Sequence, residues 1–223
     1  MFAMSEKRRV GVLWDMDGTL IDSEPLWMAA ETELVESFGR AWRHEDAVQL
    51  VGNGLEESAR ILQEAGVRMS GPEIIGWLTD HVTAHLHPAS MPWRPGAREL
   101  LGALRAAGVP TALVTMSYRS MALHVAAQLG FEGFDAVIAG DDVAHAKPHP
   151  DPYLRGAAAL GLDPADCVAI EDSATGATSA AAAGARVVAV PFIAPVPDDP
   201  RWTKWDSLAG RDIADLLAVG ALA

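Results

Sequence analysis

The chain has 223 residues, 50% of them hydrophobic, with a formal net charge of −13. That length and apolar share suit one large domain, or a core domain with a smaller companion, able to bury a sizeable core. The acidic excess argues against nucleic acid and anionic membranes as partners, because both need basic surface; any anionic ligand must be captured locally.

In chain order, the first segment, "MFAMSEKRRV", is charged, and the apolar run overlapping its end stops at Asp15. Such a run is too short for the apolar region of a signal peptide, and no uncharged apolar stretch reaches membrane-spanning length. A single cysteine, Cys167, excludes an internal disulfide and suits a reducing compartment. These features predict a cytoplasmic protein that meets neither membrane nor nucleic acid. Cys167 sits inside an apolar run and reads as a packed core thiol.

Residues 10–14 read as a buried strand ending in Asp15, Met16, Asp17 and Gly18. Two carboxylates that close repel by roughly 4 kcal/mol at about 4 Å and an effective dielectric of about 20, so a positive group is expected between them. In extended backbone, residues i and i+2 point the same way, which aims Asp15 and Asp17 together and turns Met16 inward. Three helical stretches follow, "EPLWMAAETELVESFG", "LEESARILQEAG" and "GPEIIGWLTDHVTAHLH", with no convincing strand. The pattern predicts a helical cap domain over 23–91, inserted after the first strand and left through the proline-rich "MPWRPG". The remaining 1–22 and 92–223 form the α/β core.

From Arg94 onward helical and strand patterns alternate. "PGARELLGALRAAG" leads to "VPTALVT", "SYRSMALHVAAQLG" to "FDAVIAG", "DPYLRGAAALG" to "CVAI", and "SATGATSAAAAG" to "RVVAV". "APVPDDPRW" reads as a proline-rich surface loop and "SLAGRDIADLLAVG" as a closing helix. Strands separated by helices of this length imply parallel βαβ units, hence a doubly wound, Rossmann-like sheet. Ligands of such sheets bind beyond the carboxyl ends of the strands. The groups found there are Asp15 and Asp17, then Thr115, Met116 and Ser117, then Glu171 and Asp172. Lys147, in "HAKPHPDPYL", falls in a loop before a helix whose first turn is expected to hold Pro148.

"DMDGTL", Thr115 in "ALVTMS", Lys147 in "KPHP" and "EDSATG", in that order, resemble the four motifs of the haloacid dehalogenase superfamily of phosphotransferases. The helical insertion resembles the C1 cap of the branch that includes β-phosphoglucomutase and many sugar-phosphate phosphatases. The resemblance implies that Asp15 attacks phosphorus to form an aspartyl-phosphate, and that Asp17 protonates the leaving alcohol and then activates water. It implies Mg²⁺ as cofactor, held by Asp15, the backbone carbonyl of Asp17, Asp172 and Glu171, the last either a ligand or one layer behind. Lys147 pairs with Asp15 and the phosphoryl oxygens, while the Thr115 hydroxyl and the N–H groups of Met116 and Ser117 hold the rest. Gly18 lets the chain turn without a side chain in the site.

Asp17 argues for phosphoryl transfer rather than dehalogenation, and a cap without lysine argues against Schiff-base chemistry. The mutases of this branch grip a second phosphate with a cap arginine, where "LVGNGLEESA" offers Leu55, and carry a histidine where this chain has Trp27. Arg60 or Arg68 remains as a compensating grip. Hydrolysis of a small phosphorylated sugar or sugar alcohol is therefore the leading expectation; a sugar-phosphate mutase and a non-catalytic phosphometabolite-binding protein are the alternatives. "DSEPLW" paired with "DDPRW" is similar to bacterial phosphatases acting on hexitol and 2-deoxyhexose 6-phosphates. Trp27, Gly52 and Asn53 are expected to line the substrate pocket, and a monomer or weak homodimer is expected.

Overall fold

Strand β1, Gly11–Trp14, is buried along its whole length, as a strand with parallel neighbours and both faces covered must be. The computed structural model describes residues 10–51 and 53–219. β1 pairs in parallel with β2, Thr111–Val114, and with β4, Cys167–Glu171. β3, Ala136–Ile138, lies outside β2; β5, Arg186–Ala189, and β6, Trp202–Lys204, lie outside β4. The order β3-β2-β1-β4-β5-β6 makes this the doubly wound parallel sheet that the alternating pattern predicts. The chain leaves β1 toward β2 and returns on its other side at β4, so the topological switch point lies between the ends of β1 and β4.

Four helices separate β1 from the rest: α1, Glu24–Ser37; α2, His44–Val48; α3, Leu55–Ala65; and α4, Gly71–His85. Leu34, Leu62, Ile74 and Leu78 from α1, α3 and α4 are buried in one apolar cluster. α4 starts where the sequence signals it, with Glu73 accepting from the Ser70 N–H at 2.8 Å. The chain enters and leaves this helical segment side by side, the Asp22 N–H donating to Pro92 O at 2.7 Å and the Arg94 N–H to Leu20 O at 2.9 Å.

α5, Ala97–Ala106, leads into β2; α6, Arg119–Ala127, joins β2 to β3; α7, Asp151–Ala159, precedes β4; α8, Ala174–Ala182, joins β4 to β5. Alternation along β1 sends Val12 and Trp14 to one face of the sheet. Leu13 goes to the other, among Tyr153, Ala157, Cys167 and Ala180. Cys167 is thus the core thiol expected from its apolar run, and burial pushes its pKa up to about 11.

The structure corrects four local expectations. The proline-rich segment before Trp205 ends in strand β6, and α2 occupies residues between the first two expected cap helices. The closing helix, α9, covers only Ile213–Ala218, because Gly210 takes φ +75° and the Asp212 side chain caps a later start. Pro148 lies outside α7, whose first turn holds Pro152 instead. Among the described residues, no helix is long and apolar enough to cross a membrane.

Candidate active site

Three adjacent strands deliver the polar groups to one edge of the sheet. Beyond β1, Met16 is fully buried while Asp15 and Asp17 both line the cavity above. Gly18 follows with φ +84°, and a Cβ there would lie 2.1 Å from Asp172 Oδ2. Only glycine both takes this conformation and lets the loop pass beneath that carboxylate. Asp172 itself follows β4, directly across the switch point.

Lys147 spends its three N–H bonds at the centre of this edge. It donates to Asp15 Oδ1 at 2.7 Å, to Glu171 Oε1 at 2.6 Å and to the Val114 carbonyl at 3.0 Å. Its side chain is only 6% exposed. Burial opposes the ammonium, but the two carboxylates outweigh it and hold the Lys147 pKa above its ordinary value. Glu171 also accepts from the buried Tyr153 phenol at 2.5 Å through Oε1 and from Ser173 Oγ at 3.2 Å through Oε2. Gly176 in α8 leaves room for it, since a Cβ there would sit 1.9 Å from Glu171 Oε1.

One ammonium is too little for the carboxylates gathered here. Burial, then Glu171, push the Asp15 carboxyl up to about 7 against the opposing pull of Lys147. Burial and then Asp15 raise Asp172 well above the usual carboxylate range. Asp15, Glu171 and Asp172 each offer an oxygen within 4.8 Å of the others, and Asp15 Oδ2 is buried with no hydrogen-bond partner. An all-oxygen, multiply anionic donor set of this kind fits a hard divalent cation. Because both Glu171 oxygens already accept hydrogen bonds, Asp15 and Asp172 are the better placed of the three to face such an ion.

Asp17 is held differently. Its Oδ1 accepts from Ser23 Oγ at 2.5 Å and Trp27 Nε1 at 3.1 Å; its Oδ2 accepts from Ser117 Oγ at 2.7 Å and Thr115 Oγ1 at 3.2 Å. Two of these donors come from the start of the helical segment and two from the end of β2, so Asp17 spans the two parts of the molecule. Thr115 is fully buried and also accepts from the Ser117 N–H at 3.0 Å.

A cavity of about 200 Å³ opens above these groups. Trp27, Met116, Ser117, Lys147 and Asn53 line it, whereas Thr115 and Glu171 lie beneath its floor. Gly52 lies outside the described residues. Leu55 lines the cavity, while Arg60 is turned outward to Glu57 and Glu64 and Arg68 is exposed. His81 and His85 stack beside Trp77 on α4, outside the cavity lining.

Sequence reasoning missed Ser23, Glu24 and Glu31. Glu24, Trp27, Met28 and Glu31 follow i, i+3, i+4, i+7 spacing, so α1 presents them as one stripe, and all four line the cavity. Burial, then Asp17, push the Glu24 carboxyl up to about 7; burial, then Glu24, push Glu31 up to about 8.

Comparison with known proteins places this geometry in context. Residues 10–184 match the family model described as haloacid dehalogenase-like hydrolase. Hexitol phosphatase B of Escherichia coli is 33% identical over 225 residues, covering 96% of this chain and 100% of that protein. The phosphorylated carbohydrates phosphatase of Thermotoga maritima is 30% identical over 174 residues, covering 78% and 81%. The crystal structure of CbbY from Rhodobacter sphaeroides in complex with phosphate superposes with a TM-score of 0.83 at 28% identity, covering 92% of this chain and 98% of that one.

Proposed function

This chain belongs to the haloacid dehalogenase-like hydrolases, and from that premise we propose that it is a Mg²⁺-dependent phosphatase of small phosphorylated sugars or sugar alcohols. One observation carries the reading: Asp15, paired with Lys147 and beside Asp172, sits buried on the floor of a cavity whose size suits a small metabolite. The phosphatases named among its relatives support the substrate class.

In the proposed reaction, an Asp15 carboxylate oxygen attacks phosphorus as the ester bond to the alcohol breaks. Asp17 gives its proton to the departing alkoxide. Asp17 then takes a proton from water as that water attacks the aspartyl-phosphate, releasing inorganic phosphate and restoring Asp15. Lys147 holds Asp15 in position and offsets charge on the phosphoryl oxygens. Asp15, Asp172 and the Asp17 carbonyl would hold Mg²⁺, which supplies further neutralisation of that charge. Asp17 accepts from Ser23 and Trp27 of the helical segment, so motion of residues 23–91 as a cap over the 1–22 and 92–223 core would change which donors it keeps. The buried single cysteine suits a cytoplasmic enzyme.

Hydrolysis is preferred over mutase chemistry because the helical wall of the cavity presents carboxyls, Glu24 and Glu31, together with Leu55, where a second phosphate would need a cation. The test is a panel of hexose, hexitol and triose monophosphates incubated with the protein and Mg²⁺. Release of inorganic phosphate without added bisphosphate is expected. Isomer exchange that depends on a bisphosphate would instead establish a mutase, and binding without turnover would establish neither enzyme.

A further inference from the structure

We propose that Glu31, seconded by Glu24, is the specificity residue of the cavity, hydrogen-bonding the distal hydroxyls of a polyol monophosphate about four to six carbons long. The proposal rests on the phosphatase reading above and adds the residue that measures the substrate's far end.

Position comes first. Seven residues of α1 separate Glu24 from Glu31, about 10 Å along the axis. Glu24 feels the charges of Asp17, Asp22 and Asp15, whereas Glu31, among the described residues, feels that of Glu24. α1 therefore runs from the reacting end of the cavity to its remote end, with one carboxyl at each.

The second observation is an unmet hydrogen bond. Glu31 is only 5% exposed, and its Oε2 is buried with no hydrogen-bond partner among the described residues. Buried polar atoms are nearly always paired, because a lone one has surrendered its water for nothing. A carboxyl kept in that condition on the wall of a cavity departs from what the fold alone would select, and such departures concentrate where ligands bind.

The chemistry of the walls sets the ligand class. Among the described lining residues Lys147 is the sole cation, and it lies at the reacting end. A second phosphate or a carboxylate at the remote end would find no counter-charge among these lining residues. Trp27 and Met28 lie between the two carboxyls on α1, and Leu50, Leu55 and Leu78 add apolar lining elsewhere in the cavity, which suits the C–H faces of a carbon chain. Glu31 holds its proton up to about pH 8, and a protonated carboxyl both donates and accepts, as a hydroxyl does; an ammonium only donates.

The experiment compares kcat/KM across alditol monophosphates of increasing length in the wild type, Glu31→Gln and Glu31→Leu. In the wild type kcat/KM should rise with length and fall for a hexitol phosphate lacking its terminal hydroxyl. Glu31→Leu should lose roughly tenfold to a hundredfold on the six-carbon ester and distinctly less on the three-carbon one, as loss of one hydrogen bond to a buried group predicts, whereas Glu31→Gln, whose carboxamide still donates and accepts, should lose less than the leucine variant. Glu31→Leu should melt no lower than the wild type, since it removes a buried unpaired group. Equal losses at every length, a wild type indifferent to the terminal hydroxyl, or preference for a terminal ammonium overturns the proposal. Failure of the wild type to release phosphate from any monoester overturns the phosphatase reading itself; phosphate release with unchanged length discrimination in Glu31→Leu overturns only the role of Glu31.

Discussion

Replacing Lys147 with methionine tests the central ion cluster, because the substitution keeps the length and apolar stem of the side chain while removing its charge. Three acceptors lose their donor: Asp15 Oδ1, Glu171 Oε1 and the Val114 carbonyl. With Lys147 only 6% exposed, water cannot readily replace it, and breaking a buried pair from one side costs about 3–5 kcal/mol. The deficit should depend on pH with a definite sign. Asp15 already titrates at about 7 in the folded protein against 3.8 in a free chain, and loss of Lys147 removes a group that lowers it. Wild type and variant alike lose stability as pH rises from 3.8 to about 7, but the variant, whose Asp15 holds its proton longer, goes on losing it above that, so the deficit grows as pH rises past about 7. Urea unfolding with a chelator present should show a larger deficit near about pH 8 than near about pH 5. A deficit below about 1 kcal/mol at the higher pH would refute the assignment of Lys147 as the counter-charge.

Asp15→Asn should abolish phosphate release, by roughly 10⁴-fold or more, while leaving the urea midpoint unchanged or raised, because a carboxamide cannot attack phosphorus and carries no charge to bury; full turnover in that variant would refute the nucleophile assignment. Gly18→Ala should cost about 1–3 kcal/mol and raise the Mg²⁺ concentration needed for half-maximal activity, since φ +84° is strained for alanine and the new Cβ would meet Asp172 at 2.1 Å; an unchanged Mg²⁺ titration would show that Asp172 does not move. The Glu31 carboxyl titrates at about 8 when folded and 4.5 when free, so its contribution to stability declines as pH rises between those values, by at most about 5 kcal/mol. Glu31→Gln should flatten that part of the stability profile, and parallel profiles for variant and wild type would contradict it.

The parts of the site legible in the sequence are those fixed by local geometry. Asp15 and Asp17 share a side because alternation in extended chain requires it, and they lie at the sheet's carboxyl edge because an apolar run directly precedes them. The stripe of Glu24, Trp27, Met28 and Glu31 was visible as helical spacing, yet which face of α1 looks into the cavity depends on how α1 packs, and that is decided by distant residues such as Leu62 and Leu78. The bonds from Ser23 and Trp27 to Asp17 are beyond reach for the same reason. Strand β6 carries few apolar residues and exists because β5 offers it an edge to pair with, a tertiary influence that local propensity does not record.

The charge layout of the cavity accounts for both the need for a cation and the choice between hydrolysis and mutation of the phosphate's position. Among the described residues, Asp15, Asp17, Glu24, Glu31 and Asp172 line it against a single ammonium whose three N–H bonds already have acceptors. A phosphate dianion near about 4 Å from even one ionised carboxylate meets several kcal/mol of repulsion at an effective dielectric of about 20, so a divalent cation near Asp15 and Asp172 should be needed to bind substrate as well as to turn it over. Positive charge concentrated at that end alone also orients the ester, phosphate first. The remote end, with no cation among its described lining residues, then favours an uncharged tail. A mutase must reverse its bisphosphate intermediate and present each phosphate in turn to both ends. Here the second orientation would place a phosphate where the described lining offers no cation, which favours hydrolysis.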